Sequence, residues 1–476
     1  MSADLVAELE SALPASLPAG TATAVFCCGT CFHRQQDVVG IAILVDGTRH
    51  PPVAMGMPRP DLFASEPRAF RSGFWCTVPI EPREEGGTVH IELAARLADG
   101  IEHVVPLRRI DIVEPRSAPS LRRPADADLI AVCMATYEPE LALFRAQVES
   151  LRAQTDRRWL CMISDDHSSP ERFAALRDVV AGDERFVVSR SDRRVGFYRN
   201  FERALQMAPR EAELIALCDQ DDRWHPDKLE VLRGALGGAQ LVYCDQRLVD
   251  VDGRVQRETL WAGRRNNHTS LASLLVANTI TGAATLFRRE VAELALPFPE
   301  TPGLQFHDHW LGLVALAAGD VAYVDRPLYD YVQHAGAVFG DVTSSEPERP
   351  PRTGLRGGRG AYFLGYLARE VQAQTLLARC ADRLSASKRR ALERYIAADH
   401  SPVAFAWLAT RSLRALVGRN ETLASERELV HGIAWRWLVA LLAHGTRTPG
   451  RRPLDASVPD VLSFEQKRLR RWRARS

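Results

Sequence analysis

Residues 213–222 read Glu-Leu-Ile-Ala-Leu-Cys-Asp-Gln-Asp-Asp, an unbroken apolar run that ends in Asp219, Asp221 and Asp222. Such a run bounded by polar turns is the pattern of a strand buried on both faces, as in a parallel sheet. Upstream the pattern recurs as LIAVCMAT (129–136), RWLCMISDD (158–166) and RFVVSRS (185–191). Between these runs lie segments with apolar residues at helical spacing: LALFRAQVESLRAQ (141–154), ERFAALRDVVA (171–181) and FYRNFERALQMA (197–208). Strands alternating with helices imply right-handed βαβ units and a largely parallel sheet, hence an α/β fold. Ligands of such sheets bind beyond the carboxyl ends of the strands. Asp165 and Asp166 close one strand there, and Asp219, Asp221 and Asp222 close another.

Crowded carboxylates raise one another's pKa unless a cation compensates them. The Asp219–Asp222 cluster therefore points to a hard divalent ion, Mg²⁺ or Mn²⁺, held by one or two carboxylates with coordination positions left for substrate phosphates. A nucleotide substrate follows. Turns after strands are also rich in Asp for backbone reasons. Asp222, ahead of Trp224-His-Pro226, reads equally as the start of a helix, and Asp166 reads equally as a cap on the Ser168–Pro170 turn.

Around this core the chain of 476 residues has room for two further units. Residues 22–115 read as strands with period-2 patterning and turn signals at Asp46-Gly47 and Asp99-Gly100, which predicts an all-β, immunoglobulin-like sandwich as the unit 1–120. The polar stretch Pro115–Asp128 serves as linker, the α/β unit spans 128–345, and 346–476 turns Pro/Gly/Arg-rich and then helical. This last region reads as an appendage to the catalytic core. Its end, FEQKRLRRWRARS (464–476), reads as a solvated helix end or as a weak docking site for an anionic leaflet.

Lys+Arg (61) nearly equals Asp+Glu (60), so no overall field gathers nucleic acid. Only three of those basic residues are lysines: Lys228, Lys388 and Lys467. The cysteines sit in apolar runs as reduced, buried thiols, and Cys28-Gly-Thr-Cys31 lacks the second pair a zinc site needs. The first twenty residues carry acid where a secretory signal needs a basic start, and Gly432–His444 is too short to span a bilayer. A cytoplasmic protein, peripheral at most to the inner membrane, is expected.

The order of short motifs along 128–340 narrows the reading. Ala135-Thr-Tyr137, Gln154-Thr155, Ile163-Ser-Asp165-Asp166 with Ser168 and Ser169, Gly196-Phe197 with Asn200-Phe201, Asp219-Gln-Asp221-Asp222 with Trp224, Pro226 and Lys228, Thr281-Gly282 and His307-Asp308-His-Trp310 follow one another. This succession resembles the family 2 glycosyltransferases of the GT-A fold, a Rossmann-like nucleotide-diphospho-sugar transferase core, and within them the rhamnosyltransferase-type members. The resemblance implies that Asp165 hydrogen-bonds the donor's pyrimidine base, with Thr136, Tyr137 and Glu138 closing that pocket. It implies that Asp219, with Gln220 beside it, orients the ribose or the metal shell, and that Asp221 binds the metal bridging to the diphosphate. Asp308 matches the catalytic base, and His334 matches a downstream His that completes the metal site. His307 and His309 flank Asp308 but point apart on a helix. Two positions depart from the family pattern: Glu138 replaces a common Asn, and Arg223 replaces an apolar residue.

The implied activity is inverting transfer of a sugar from a nucleoside-diphosphate donor, dTDP-rhamnose first and UDP-sugars next, to a hydroxyl of a surface polysaccharide or lipid-linked glycan. Two other classes compete. A sugar-nucleotide nucleotidyltransferase needs a glycine-rich loop after the first strand, where ATYEPE (135–140) stands. A non-catalytic carbohydrate-binding protein would use aromatics of the β unit, such as Phe74 and Trp75, as stacking platforms.

Overall fold

A computed structural model of the chain describes residues 4–120, 128–260, 268–302, 305–334, 355–413 and 423–442. The basic segment 464–476 lies outside the described residues. Nine strands form the first unit: β1 (Leu5–Leu9), β2 (Ser16–Pro18), β3 (Thr23–His33), β4 (Val38–Val45), β5 (Thr48–His50), β6 (Ala54–Met57), β7 (Gly73–Ile80), β8 (Thr88–Leu97) and β9 (Glu102–Val113), with a short helix α1 (Pro60–Phe63) after β6. They make two sheets, β1-β3-β7-β6 and β2-β9-β8-β4-β5. The two pack face to face through Val25, Cys27, Phe74 and Val78 from one and Ile43, Ile91, Leu93 and Ile110 from the other. Asp46 and Gly47 both take positive φ (49° and 83°), the geometry of the two-residue turn that joins β4 to β5. LVAEL, at the N-terminus, has helix-forming composition yet is strand β1, because antiparallel pairing to β3 overrides local propensity.

All of β3 is buried. Its Val25 and Cys27 face the second sheet, while Ala24, Phe26 and Cys28, with Trp75 of β7, face helices from the C-terminal region. Phe74 and Trp75 are therefore core residues, 0 % and 1 % exposed, and the expectation that they offer stacking platforms for sugar is corrected.

The α/β unit runs β10 (Ile130–Thr136), α2 (Leu141–Arg152), β11 (Trp159–Asp165), α3 (Pro170–Val180), β12 (Phe186–Arg190), α4 (Phe197–Gln206) and β13 (Leu214–Cys218). It continues through β14 (Arg223–Trp224), α5 (Lys228–Leu236), β15 (Leu241–Asp250), β16 (Val255–Arg257), α6 (Leu271–Val276), β17 (Thr285–Arg288), α7 (Arg289–Ala295), α8 (His307–Ala318) and β18 (Val321–Gln333). The strand order is β12-β11-β10-β13-β17-β15-β18-β14, with β16 on β15. The first four strands are mutually parallel. Beyond β13 the sheet is mixed: β17 is antiparallel to both neighbours, β18 is parallel to β15, and β14 returns antiparallel on β18. The largely parallel sheet expected from the sequence thus holds for half of it. The remainder includes strands of two to four residues, too short to show a period.

Helices α9 (Leu355–Gly360), α10 (Ala368–Arg379), α11 (Ala386–Ile396), α12 (Pro402–Ser412) and α13 (Leu423–Leu442), with a π-helical turn at Ala361–Leu367, form the C-terminal region. They are a joint rather than an appendage. The Ala24 N–H donates to Thr375 Oγ1 (3.1 Å), and Trp75 packs on Tyr362 with ring centroids 5.8 Å apart. Lys388 Nζ donates to Gly319 O and Arg411 to Ser273 Oγ, each at 2.7 Å. Arg379 binds both units at once, donating to Ala22 O (2.6 Å) on the sandwich side and Ala295 O (2.8 Å) on the α/β side. No helix of the described residues is long and apolar enough to cross a membrane.

Arg379→Ala would remove these donors, leaving Ala295 O with Trp310 Nε1 alone, and open a cavity where three units meet. Urea denaturation should show a loss of about 2–4 kcal/mol; an unchanged midpoint would show that the joint does not depend on this side chain.

Candidate active site at the strand crossover

From β10 the chain crosses to β11 and β12 on one side of the sheet, then returns to β13 on the other. Adjacent parallel strands whose connections diverge leave a crevice at their carboxyl ends. Thr136 ends β10 on one wall, and Asp219 follows β13 on the other. Gln220 spans them: the Tyr137 N–H donates to Gln220 Oε1 (2.9 Å) and Gln220 Nε2 donates to Tyr137 O (3.3 Å).

On the first wall the polar groups hold each other. Asp165, 0 % exposed, accepts from Thr136 Oγ1 (3.2 Å), Ser168 Oγ (2.6 Å) and the Ser168 N–H (2.9 Å). It is Asp165, not Asp166, that ties the turn leading into α3. Asp166 instead accepts from the Val195 and Gly196 N–H groups at 2.6 and 2.8 Å and fixes the start of α4. Glu138 has φ +44° and accepts from the Ser169 N–H at the N-terminus of α3, a favourable place for a carboxylate. Asn200 donates to Thr136 O (3.2 Å) and Ser164 O (2.8 Å), which locks the ends of β10 and β11 to α4. Tyr137 stands half out of this wall under the Arg194 guanidinium, 4.0 Å from the ring centroid. Of the residues matched to donor binding, Glu138 and Gln220 thus have their polar atoms engaged in holding main chain, and Tyr137 and Glu138 are both exposed.

On the second wall the acids converge. Asp221 Oδ2 lies 2.9 Å from His334 Nε2, a contact that raises the imidazole's pKa. Burial, with Asp221 and Asp308 nearby, pushes Asp219 up to about 7. Asp308 sits in the first turn of α8, where its carboxyl accepts from the His309 N–H (2.6 Å) and is approached by the Gly282 N–H and the Asn278 amide. Burial outweighs these and lifts Asp308 to about 6. Asp222 is 1 % exposed, and its oxygens meet nothing closer than a weak approach from the Val332 N–H. It does not start a helix: β14 intervenes and α5 begins at Lys228. His307 and His309 do point apart. His307 stacks on Phe201 at 3.6 Å and His309 Nε2 meets Leu274 O at 2.7 Å, and burial drives each ring's pKa down to about 3.

Among the described residues no three His, Cys, Asp or Glu side chains surround a common point. The pair Asp221 and His334 nonetheless fits a divalent ion of the Mg²⁺ or Mn²⁺ kind: a carboxylate oxygen and an imidazole nitrogen 2.9 Å apart suit two adjacent ligand positions once the proton between them is displaced. Such an ion needs only one or two protein carboxylates when phosphate oxygens supply the rest.

Two contributors were quoted from the sequence without a role. Gly282 is one. A Cβ there would lie 2.8 Å from His307 Nε2 and 3.4 Å from Asp308 Cβ, so glycine lets the turn approach the acid. Lys228 is the other, buried beneath the acidic turn.

Gly282→Ala should leave the fold intact, by circular dichroism, while lowering any turnover that uses Asp308 by about 10²-fold, the scale of an ångström's misplacement. A second expectation concerns pH. Because folding raises the pKa of Asp219, stability it contributes in acid is lost as pH rises from about 4 through about 7. Asp219→Asn should therefore raise the stability of the unliganded protein by roughly 1–3 kcal/mol at pH 8 and by much less at pH 4.5. An equal effect at both pH values would show that Asp219 is not the strained group.

Residues 131–294 match the family model described as Glycosyl transferase family 2. A Sinorhizobium fredii protein described as uncharacterized protein y4gI is 31 % identical over 130 residues, which is 26 % of this chain and 14 % of that protein. This chain therefore spans a small part of that relative's length. Among solved structures, S. aureus TarS 1–349 in complex with UDP-GlcNAc is similar at 14 % identity and TM-score 0.39, covering 69 % of this chain and 99 % of that one. Mannosyltransferase PcManGT from Pyrobaculum calidifontis, in complex with GDP-Man and Mn²⁺, is similar at 18 % identity and TM-score 0.35, covering 68 % and 91 %. Residues 131–294, which carry Thr136, Asp165, Asp219 and Asp221 but not Asp308 or His334, are thus similar to the family 2 glycosyltransferases.

Proposed function

We propose that the chain is an inverting, metal-dependent glycosyltransferase. It moves a sugar from a nucleoside-diphosphate donor, with dTDP-rhamnose the first donor to test and UDP-sugars the next, to a hydroxyl of a surface-polysaccharide or lipid-linked glycan acceptor. One observation carries the reading: Asp308, half-buried and lifted to about 6, stands within electrostatic reach of Asp219 at the mouth of the crossover crevice. A carboxylate with that pKa is ionised near neutrality yet basic enough to take a proton.

Asp308 accepts the proton of the acceptor hydroxyl as its oxygen bonds to the anomeric carbon. The bond from that carbon to the diphosphate breaks on the opposite face, and the nucleoside diphosphate leaves with both electrons. A single displacement inverts the centre and needs no carboxylate nucleophile. Asp221 and His334 would hold Mg²⁺ or Mn²⁺, which supplies Lewis-acid stabilisation of the leaving diphosphate's charge. Asp219 orients the ribose or the shell around the ion. Thr136, Tyr137 and Asp165 form the base pocket, and Gln220 and Glu138 serve it through the main chain they hold. The work is placed on the cytoplasmic face of the inner membrane, with 464–476 as the contact to anionic lipid.

Incubation with a panel of nucleotide sugars and Mn²⁺ should release nucleoside diphosphate. Asp308→Asn should lower transfer by about 10²–10⁴-fold while calorimetry shows donor affinity within a few-fold of the parent. Ordinary turnover by Asp308→Asn would remove the base; release of pyrophosphate instead would make the chain a nucleotidyltransferase.

A further inference from the structure

Lys228 is one of three lysines in a chain rich in arginine, and it is 0 % exposed. Its ammonium lies 3.6 Å from the centroid of the Trp224 ring and 4.5 Å from that of Tyr329, and it donates to Ala283 O. Three pieces of chain meet on this one group: the segment that follows the acidic turn, the turn Gly282–Ala284, and β18. The residue before Ala283 is Gly282, whose N–H approaches the Asp308 carboxyl. The same positive charge acts on Asp219 and on Asp222, the buried acid with no close donor.

We propose that Lys228 is a positioning residue: a buried ammonium that ties the acid-bearing turn after β13 to the turn beneath Asp308 and so keeps the base in register with the donor side of the crevice. Its effect on catalysis rests on the transferase reading above; the tie itself does not. The chemistry suits lysine. A buried carboxylate without donors is costly, and a nearby cation offsets part of that cost. A compact ammonium fits between two aromatic faces and still reaches a carbonyl, whereas a guanidinium is a wide planar fork. The ammonium is bonded to a carbonyl rather than locked to a carboxylate, so it supplies charge from below and leaves the acids' outer oxygens to a ligand.

Two variants test the tie. Lys228→Met fills the volume without charge or donor, and Lys228→Gln retains a donor for Ala283 O. In Lys228→Met, amide hydrogen exchange should accelerate about tenfold or more at residues 281–285 and 219–223, with the β-sandwich unchanged. Unaltered exchange at 281–285, or acceleration spread evenly over the protein, overturns the proposal whether or not any sugar is transferred. With an active donor in hand, kcat of Lys228→Met should fall by about 10–100-fold while the donor KM stays within a few-fold, and Lys228→Gln should recover part of kcat. Parallel loss of kcat and rise of KM, or no difference between Gln and Met, also contradicts it. If Lys228→Met fails to fold, exchange at 281–285 in Lys228→Gln decides: protection close to that of the parent supports the tie to Ala283 O, and tenfold faster exchange overturns it. If no nucleotide sugar turns over at all, the transferase reading fails and the exchange measurement still stands.

Discussion

Four carboxylates crowd one edge of the sheet, and the rest of the site is arranged around the cost of keeping them there. Asp219, Asp221 and Asp222 come from the turn after β13, and Asp308 comes from the first turn of α8, nearly ninety residues later. Neither segment chooses this proximity on its own. Pairing of β13 between β10 and β17 fixes the first, and the turn Gly282–Ala284 at the head of β17 draws in the second. Burial, joined at Asp219 by repulsion from Asp221 and Asp308, holds protons on Asp219 and Asp308 to unusually high pH. Such a site is primed to accept positive charge, and Lys228 from beneath supplies a fixed share of it.

The opposite wall solves a different problem. Its polar side chains are used to shape main chain: Asn200 clamps β10 and β11, Asp165 the turn into α3, Asp166 the start of α4, and Gln220 the backbone of Tyr137. A wall built this way presents backbone groups and one exposed ring, with few free side-chain hydrogen bonds. That arrangement suits a flat, invariant group such as a nucleotide base better than a variable one. On the proposed transferase reading, discrimination among sugars and acceptors falls to residues around the second wall.

How far the sequence disclosed this depends on the kind of signal. The strands β10 to β13 were legible because each carries an apolar run between helical segments, two of them ended by acids, and Asp219, Asp221, Asp308 and His334, singled out from one dimension, gather on one wall. What escaped notice lacked periodicity or depended on partners distant in sequence. β14 and β17 are too short to read, and β1 has the composition of a helix. β3 carries apolar residues on both faces because the C-terminal helices cover the second one, and that same cover buries Trp75. The tie to the turn into α3 belongs to Asp165 rather than Asp166, since the side chain facing Ser168 is decided by the pleat of β11. Lys228 stands in the motif after the acidic turn, but its burial was not legible, because a lysine at a helix start ordinarily reads as solvated.

The central claim is that this acidic wall binds a nucleoside diphosphate through a divalent ion held at Asp221. Calorimetric titration of UDP and dTDP into the full chain, with Mn²⁺ and then with chelator, tests it most directly. The account predicts binding with Mn²⁺ that weakens by about tenfold or more on chelation, and by a similar factor in Asp221→Ala. Equal affinity with and without the ion, or in the presence and absence of the Asp221 carboxylate, would contradict it.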